Sequence, residues 1–309
     1  MRGISSQQTE LIIDALAEGK TRLPPAILEK DILLTEVISE ISTIRSKNFS
    51  LHFCGGTSLA KCFDISNRMS EDLDFKVVMI SQETGNSQRK ILGALRDEIV
   101  KKLLTLDYGV DVRSDNRNSH FVIKLNYKSQ FDPSASLRPE ILLEFTLDQL
   151  TNPSSDLKVK TLIYEAVQQT SSNPRISVVS LQQTTAEKIL TFLRERNPIQ
   201  PESGRDARLI RHIYDVARIM ASIKDISDLA HCFNLAIRRD LLRFSELNGF
   251  ARDPNEFLRT STFSIINDEL LKGEYSNFIS ELTVTDDFTF EEDLKTFIDL
   301  ARTLINQLP

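Results

Sequence analysis

Asp72 and Asp74 stand two residues apart at the start of a segment, Asp72 to Ile80, in which Leu73, Phe75, Val77 and Met79 alternate with Asp72, Asp74 and Lys76. That period of two predicts a strand with both carboxylates on one face, close enough to share a divalent cation. Upstream, Leu51 to Cys54 predicts a short strand halted by Gly55-Gly56, and Thr57 to Phe63 a helix entered directly from that turn. Glycine lets backbone come close to a phosphate, a helix N-terminus presents free N–H groups, and Thr57 and Ser58 add hydroxyl donors. Holding a triphosphate and neutralising its charge with metal are the main demands of phosphoryl and nucleotidyl transfer. A third acid is expected from a neighbouring strand. Glu144 lies in the apolar run Ile141-Leu142-Leu143-Glu144-Phe145, where a buried charge is costly unless compensated, and Glu140 on the same face competes for the role. A Gly-Gly turn or an Asp-x-Asp pair alone is commonplace. Their order along the chain, strand, glycine turn, helix, aspartate strand and acid-bearing strand, makes the functional reading the better one.

The elements that must carry these residues fall into two parts. Leu11 to Leu16 predicts a helix ended by Gly19, and Ile27 to Ile44 a longer one begun by Pro24-Pro25. Ile91 to Leu106 has helical spacing, while His120 to Tyr127 and Glu140 to Leu147 predict strands separated by a Pro/Ser-containing loop. Gln168 to Asn173 predicts a further loop. After Val179 the pattern turns helical: Thr184 to Arg196, Arg205 to Ile223, Ile226 to Leu242 and Glu291 to Leu308, with Pro198, Pro201 and Gly204 marking a loop. The expected organisation is an α+β domain, 1–180, with a small mixed sheet and flanking helices, followed by a helical domain, 181–309. In the helical part Arg208, Arg211 (or His212) and Asp215 recur at helical spacing and are expected to share a face. The stretch from Arg205 to Arg218 is the most basic short region of the chain. Lys188 precedes the stripe Ile189, Leu190 and Leu193, and by itself reads as a snorkelling helix lysine.

A net charge of -6 over 309 residues gives no global attraction for nucleic acid, so any RNA contact needs a local basic patch. Cys54, Cys62 and Cys232 are odd in number and show no CxxC, which speaks against structural zinc and a disulfide framework. Polar residues punctuate the N-terminus, and no apolar run reaches membrane-span length. The expectation is a cytoplasmic protein with reduced thiols and no membrane partner.

The run Gly55-Gly56-Thr57-Ser58-Leu59-Ala60-Lys61 with Arg68-Met69-Ser70-Glu71-Asp72-Leu73-Asp74-Phe75 resembles the signature of the AbiEii/AbiGii toxin nucleotidyltransferases. Glu29-Lys30-Asp31 is similar to a short segment that precedes the core in that family, and Ala186-Glu187-Lys188 and Arg211-His212-Ile213-Tyr214-Asp215 look like its "AEK" and "RDxYD" motifs. The resemblance covers roughly residues 29 to 220. It implies a DNA polymerase β-like nucleotidyltransferase core with a helical C-terminal domain. Asp72 and Asp74 would hold Mg²⁺ or Mn²⁺ with the third acid, and Gly56, Thr57, Ser58 and Lys61 the triphosphate. Lys188 would contact the nucleotide phosphates, and Asp215 would be an active-site acid on the helical domain. Arg208 and Arg211 would face a phosphate-bearing acceptor. His212 stands where the family commonly has Asp, and is expected to be a helix-face histidine without a role. The implied function is NMP transfer from an NTP to an RNA acceptor, the tRNA 3′ end, by a toxin with a cognate antitoxin. The alternatives are a small-molecule or protein hydroxyl as acceptor, and a catalytically silent NTP-binding regulator.

Overall fold

The computed structural model describes all residues of the chain except 67, 116–117, 133–136, 170–172, 199–205, 224, 245–247, 283–288 and 309. Pro201, Gly204, Arg205 and the middle of the predicted 168–173 loop therefore lie outside the described residues. Contacts divide the chain into two units, Met1–Asp64 with Arg68–Leu150 and Ser154–Val179, and Ile65–Asn67 with Thr151–Pro153 and Ser180–Pro309.

The first unit runs α1 (Ser6–Ala17), α2 (Pro25–Ser42), β1 (Phe49–Cys54), α3 (Gly55–Ser58) passing into a π-helical turn (Leu59–Phe63), β2 (Asp72–Met79) and α4 (Gly85–Thr105). It continues β3 (Gly109–Asp115), β4 (His120–Asn126), β5 (Glu140–Leu147), β6 (Ser155–Lys158), α5 (Leu162–Ala166) and β7 (Arg175–Val178). The strands form one mixed sheet in the order β3-β4-β5-β2-β1-β7-β6. β2 pairs with β5 and β1 with β7 in parallel, and the remaining pairs are antiparallel. Three of these strands, β3, β6 and β7, are additions to the four expected from the sequence. The helix expected from Thr57 begins two residues earlier, so Gly55-Gly56 is its first turn and not a linker before it.

A row of phenylalanines sets the register. Phe53 is opposite Phe75, Phe75 opposite Phe145, and Phe145 opposite Phe121, across β1, β2, β5 and β4. Their ring centroids are 5.3, 4.9 and 4.7 Å apart in that order, and all four rings are buried. Leu73, Val77, Ile141, Leu143, Ile123 and Leu125 extend the same apolar face. Side chains alternate across a strand, so the row displaced by one residue projects Cys54, Asp74, Glu144 and Val122 from the opposite face.

Helix α2 is buried almost throughout, including the charged triplet at its first turns. Each member of Glu29-Lys30-Asp31 ties down a different segment. Glu29 accepts hydrogen bonds from Ser129 Oγ at 2.5 Å and Gln130 N at 2.8 Å. Lys30 Nζ donates to Glu71 Oε2 at 2.6 Å and to the Arg138 carbonyl at 2.9 Å. Asp31 accepts from Lys61 Nζ at 2.5 Å and from Leu162 N at 2.7 Å. Burial pulls the Lys30 ammonium below the usual lysine range, with Glu71 opposing that shift.

The second unit is helical: α6 (Leu181–Glu195), a 3₁₀ turn (Ala207–Ile210), α7 (Arg211–Met220), α8 (Ser227–Arg243), α9 (Asn248–Arg252), α10 (Pro254–Ile266), α11 (Leu270–Leu282) and α12 (Phe290–Asn306). Its core holds Ile189, Phe192, Leu193, Ile213, Phe233, Phe297 and Leu304, with Phe192 edge-on to Phe297 at 5.1 Å. A buried cluster joins α7, α11 and α12, where Tyr275 Oη donates to Asp293 Oδ2 at 2.5 Å and Arg218 Nη2 donates to the other Asp293 oxygen. Burial pushes the Asp293 carboxyl above its usual range, with Tyr275 and Arg218 acting in the other direction. No helix among the described residues is long and apolar enough to cross a membrane.

Phe145→Ala empties the middle of the phenylalanine row and should lower the unfolding free energy by about 3–5 kcal/mol in urea titration. Phe263→Ala, at a ring 69% exposed, should change it by less than about 0.5 kcal/mol, and equal effects would contradict the register argument. Lys30→Met leaves Glu71 buried without its ammonium and should cost roughly 3–5 kcal/mol. The double variant Lys30→Met/Glu71→Gln should lose less than Lys30→Met alone.

Candidate active site

Asp72 and Asp74 share one face of β2, and Glu144 on β5 is in register with Asp74. Glu144 is 51% exposed, so the expectation of a costly buried charge there is corrected: the carboxylate projects from the polar face of the sheet. Its Oε1 lies 3.1 Å from His120 Nε2. Glu140 lies two positions back on the same face, beyond the Asp72 pairing at Leu142, and its carboxylate is 3.1 Å from Lys124 Nζ. Glu144, not Glu140, is therefore the acid beside the aspartate pair.

The glycine turn abuts this face. Gly55 has φ +76, and a Cβ there would stand 2.1 Å from Asp74 Oδ2. A Cβ on Gly56 would stand 2.3 Å from Arg68 Nη2 and 3.1 Å from Ser70 Oγ. Glycine at 55 lets the turn and the Asp74 carboxylate lie so close, and a Cβ at 56 would have to displace the Arg68 guanidinium. The Thr57 hydroxyl donates to the Asp72 carbonyl at 2.5 Å and lies 2.8 Å from Ser70 Oγ, while Ser58 Oγ donates to the Gly55 carbonyl at 2.9 Å. Both residues are buried, Thr57 bracing the turn against β2 and Ser58 closing the turn on itself. Lys61, expected at the triphosphate, is instead in the buried ion pair with Asp31, which anchors the π-helical turn to α2. Cys54 and Cys62, neither in a disulfide, are half-buried and flank this segment; Cys54 Sγ donates to the Asp74 carbonyl at 3.4 Å, and burial pushes the Cys62 thiol up to about 12.

Arg138, just before β5, is a residue the sequence reading missed. Its Nη1 donates to Asp72 Oδ1 at 2.9 Å, and its backbone N–H donates to Glu71 Oε2 at 3.0 Å. Arg68, within the run that leads into β2, is buried with its guanidinium against Gly56. Arg138 belongs to no local motif with β2, and only the pairing of β2 with β5 brings it to Asp72.

Among the described residues no three His, Cys, Asp or Glu side chains form a ready-made metal cage. Asp72 is turned to Arg138 and Glu144 to His120. The donor set nevertheless fits a hard divalent cation. Two carboxylates share one face at adjacent outward positions, and a guanidinium already supplies positive charge at the Asp72 oxygen.

In the second unit, Lys188 Nζ of α6 lies 2.8 Å from Asp215 Oδ2 of α7, with both residues buried. His212 Nδ1 is 3.1 Å from the Lys188 carbonyl. A carbonyl only accepts, so His212 carries its proton on Nδ1 and ties α7 to α6. The helix-face histidine without a role is thus corrected to a structural link next to Lys188. Arg208 sits in the 3₁₀ turn, mostly exposed, gripping Asp206 with Nε at 2.9 Å and Nη2 at 2.8 Å. That grip holds the Asp206 carboxyl below its usual range. Arg211 opens α7 and is half-buried, while Asp215 is fully buried, so the expected common face of Arg208 and Asp215 is not kept in their exposure.

A search of the curated proteins finds no match to the sequence. Among solved structures, the fold is similar to MenT4, a nucleotidyltransferase toxin from Mycobacterium tuberculosis H37Rv, with a TM-score of 0.59 and 16% identity over 99% of this chain and 91% of that one. The family model described as nucleotidyl transferase AbiEii toxin, type IV TA system, matches residues 45–297. The chain belongs to the AbiEii family of nucleotidyltransferase toxins of type IV toxin–antitoxin systems.

Proposed function

We propose that the polar face bearing Asp72 and Asp74 is the transfer centre of this nucleotidyltransferase, and that it moves an NMP from an NTP to an RNA 3′ end, with tRNA as the acceptor. Family membership brings an NTP substrate and an antitoxin partner, and nucleotidyltransferases of this family generally use divalent metal ions. The reading rests chiefly on the approach of Gly55 to Asp74, where a bare backbone and a metal-ligating type of side chain meet with no room for a Cβ.

In this reading Asp72 and Asp74 hold Mg²⁺ or Mn²⁺, with Glu144 as the third acid. The bound ion would neutralise charge on the phosphates. The backbone at Gly55-Gly56, with Gly56, Thr57 and Ser58 shaping it, lets the triphosphate approach, and Arg68 adds positive charge beside it. The acceptor hydroxyl displaces pyrophosphate from the α-phosphorus, and the NMP stays on the acceptor oxygen. Lys188, oriented by its ion pair with Asp215 at 2.8 Å, is assigned to the nucleotide phosphates. Arg208 and Arg211 are assigned to the acceptor backbone. The cytoplasm, where tRNA is found, would be the place of action.

Incubation with labelled NTPs, Mg²⁺ and total tRNA should put label into RNA. Asp74→Ala should reduce it by roughly 100-fold or more, the scale on which losing a group that organises transition-state charge is felt. Label in protein or in a small metabolite with RNA unlabelled would move the acceptor to those hydroxyls, and equal labelling by Asp74→Ala would remove β2 from the centre. A paired test isolates the glycine. Gly55→Ala and Gly85→Ala both place Ala at positive φ, +76 and +59, but nothing lies within 4 Å of a Cβ at Gly85. The left-handed backbone should cost each about 1–2 kcal/mol of stability, Gly55→Ala should lose more because its Cβ meets Asp74, and only Gly55→Ala should lose labelling.

A further inference from the structure

Arg138 is built into the first unit unlike an ordinary surface arginine. Its backbone N–H donates to Glu71 Oε2 at 3.0 Å, and its carbonyl accepts from Lys30 Nζ at 2.9 Å. Lys30 and Glu71 are themselves a buried ion pair at 2.6 Å. Pro139 follows directly, which biases Arg138 to extended backbone. The main chain is thus pinned from both sides, while the side chain, 27% exposed, reaches solvent. That side chain ends on Asp72 Oδ1 at 2.9 Å, and Asp72 is itself 38% exposed.

We propose that Arg138 is a displaceable counter-ion of Asp72. In the nucleotide-free protein its guanidinium neutralises and aims the carboxylate. With metal and nucleotide bound, Asp72 would turn to the ion, and the Arg138 guanidinium would pass to the phosphates that leave as pyrophosphate. A solvent-facing pair of this kind contributes little and breaks readily, whereas a divalent cation binds carboxylate oxygens strongly. A guanidinium donates in a fork that matches phosphate oxygens as well as carboxylate, so the hand-over exchanges one good partner for another. The pinned backbone keeps the head group within reach of both. The inference rests on the reading that Asp72 holds metal.

Mn²⁺ binding to the full-length, nucleotide-free chain, followed by electron paramagnetic resonance, tests it without reference to activity. Arg138→Ala should bind Mn²⁺ about fivefold more tightly than wild type, the factor expected when a weak competing ion pair is removed. In the presence of Mg²⁺ the same variant should bind inorganic pyrophosphate roughly tenfold more weakly, as measured by calorimetry. Arg138→Lys, which keeps charge but not the fork, should fall between on both measures, and serves if the alanine variant melts at a lower temperature. Unchanged or weaker Mn²⁺ binding by both variants, or unchanged pyrophosphate binding, overturns the proposal. Asp72→Asn distinguishes the deeper failure: if it binds Mn²⁺ as wild type does, the metal assignment itself falls.

Discussion

Four phenylalanine rings in a single row hold β1, β2, β5 and β4 in one alignment, and the chemistry on the other side of the sheet inherits that alignment. A strand displaces its side chains to alternate faces, so a slip of one residue would carry Asp74 into the core and Phe75 into water. Burying four rings on one face is therefore also what places Asp74 beside Glu144 on the other. The carboxylates need no fastening of their own to stay aligned. Their positions are a consequence of apolar burial one residue away.

The second constraint is electrostatic. Glu29, Lys30 and Asp31 would be costly to bury if left alone, yet each meets a partner from a distant segment. The partners include Glu71, one residue before Asp72, and Lys61, at the end of the glycine turn's helix. Through them α2 holds both approaches to the carboxylate pair, and through the Arg138 carbonyl it holds the start of β5 as well. Buried charge of this kind punishes misplacement severely, because any partner that drifts leaves an uncompensated ion behind. The result is a rigid frame around a face whose own groups, Asp72, Glu144, His120 and Arg138, remain partly open to solvent.

How much of this was readable depended on whether the signal was local. The strands carrying Asp72, Asp74 and Glu144 announced themselves by alternation, and α2 by its apolar spacing. β3 did not, because Gly109–Asp115 mixes Asp111, Arg113 and Asp115 into an edge strand with little to bury. β6 and β7 are four residues each, too short for any period. Residues 248–282 hold three helices that the sequence reading did not name. Glu144 was singled out for the wrong reason: an acid amid apolar residues reads as buried, but its alternate neighbours face the core while it faces out. Lys61 follows the glycine motif and so reads as a triphosphate residue, whereas the buried carboxylate of Asp31 holds it.

The sequence by itself determined that two aspartates share a strand face behind a glycine turn, since periodicity and the conformational freedom of glycine are properties of neighbouring residues. It also carried the family resemblance, which lives in those same short runs. Only the tertiary structure decided which acid stands next to Asp74, which cation rests on Asp72, and why three adjacent charges on α2 can be buried. Those questions turn on strand pairing and on ion pairs formed across 30 or more residues, and the free energy that settles them comes from burial, which no local pattern contains.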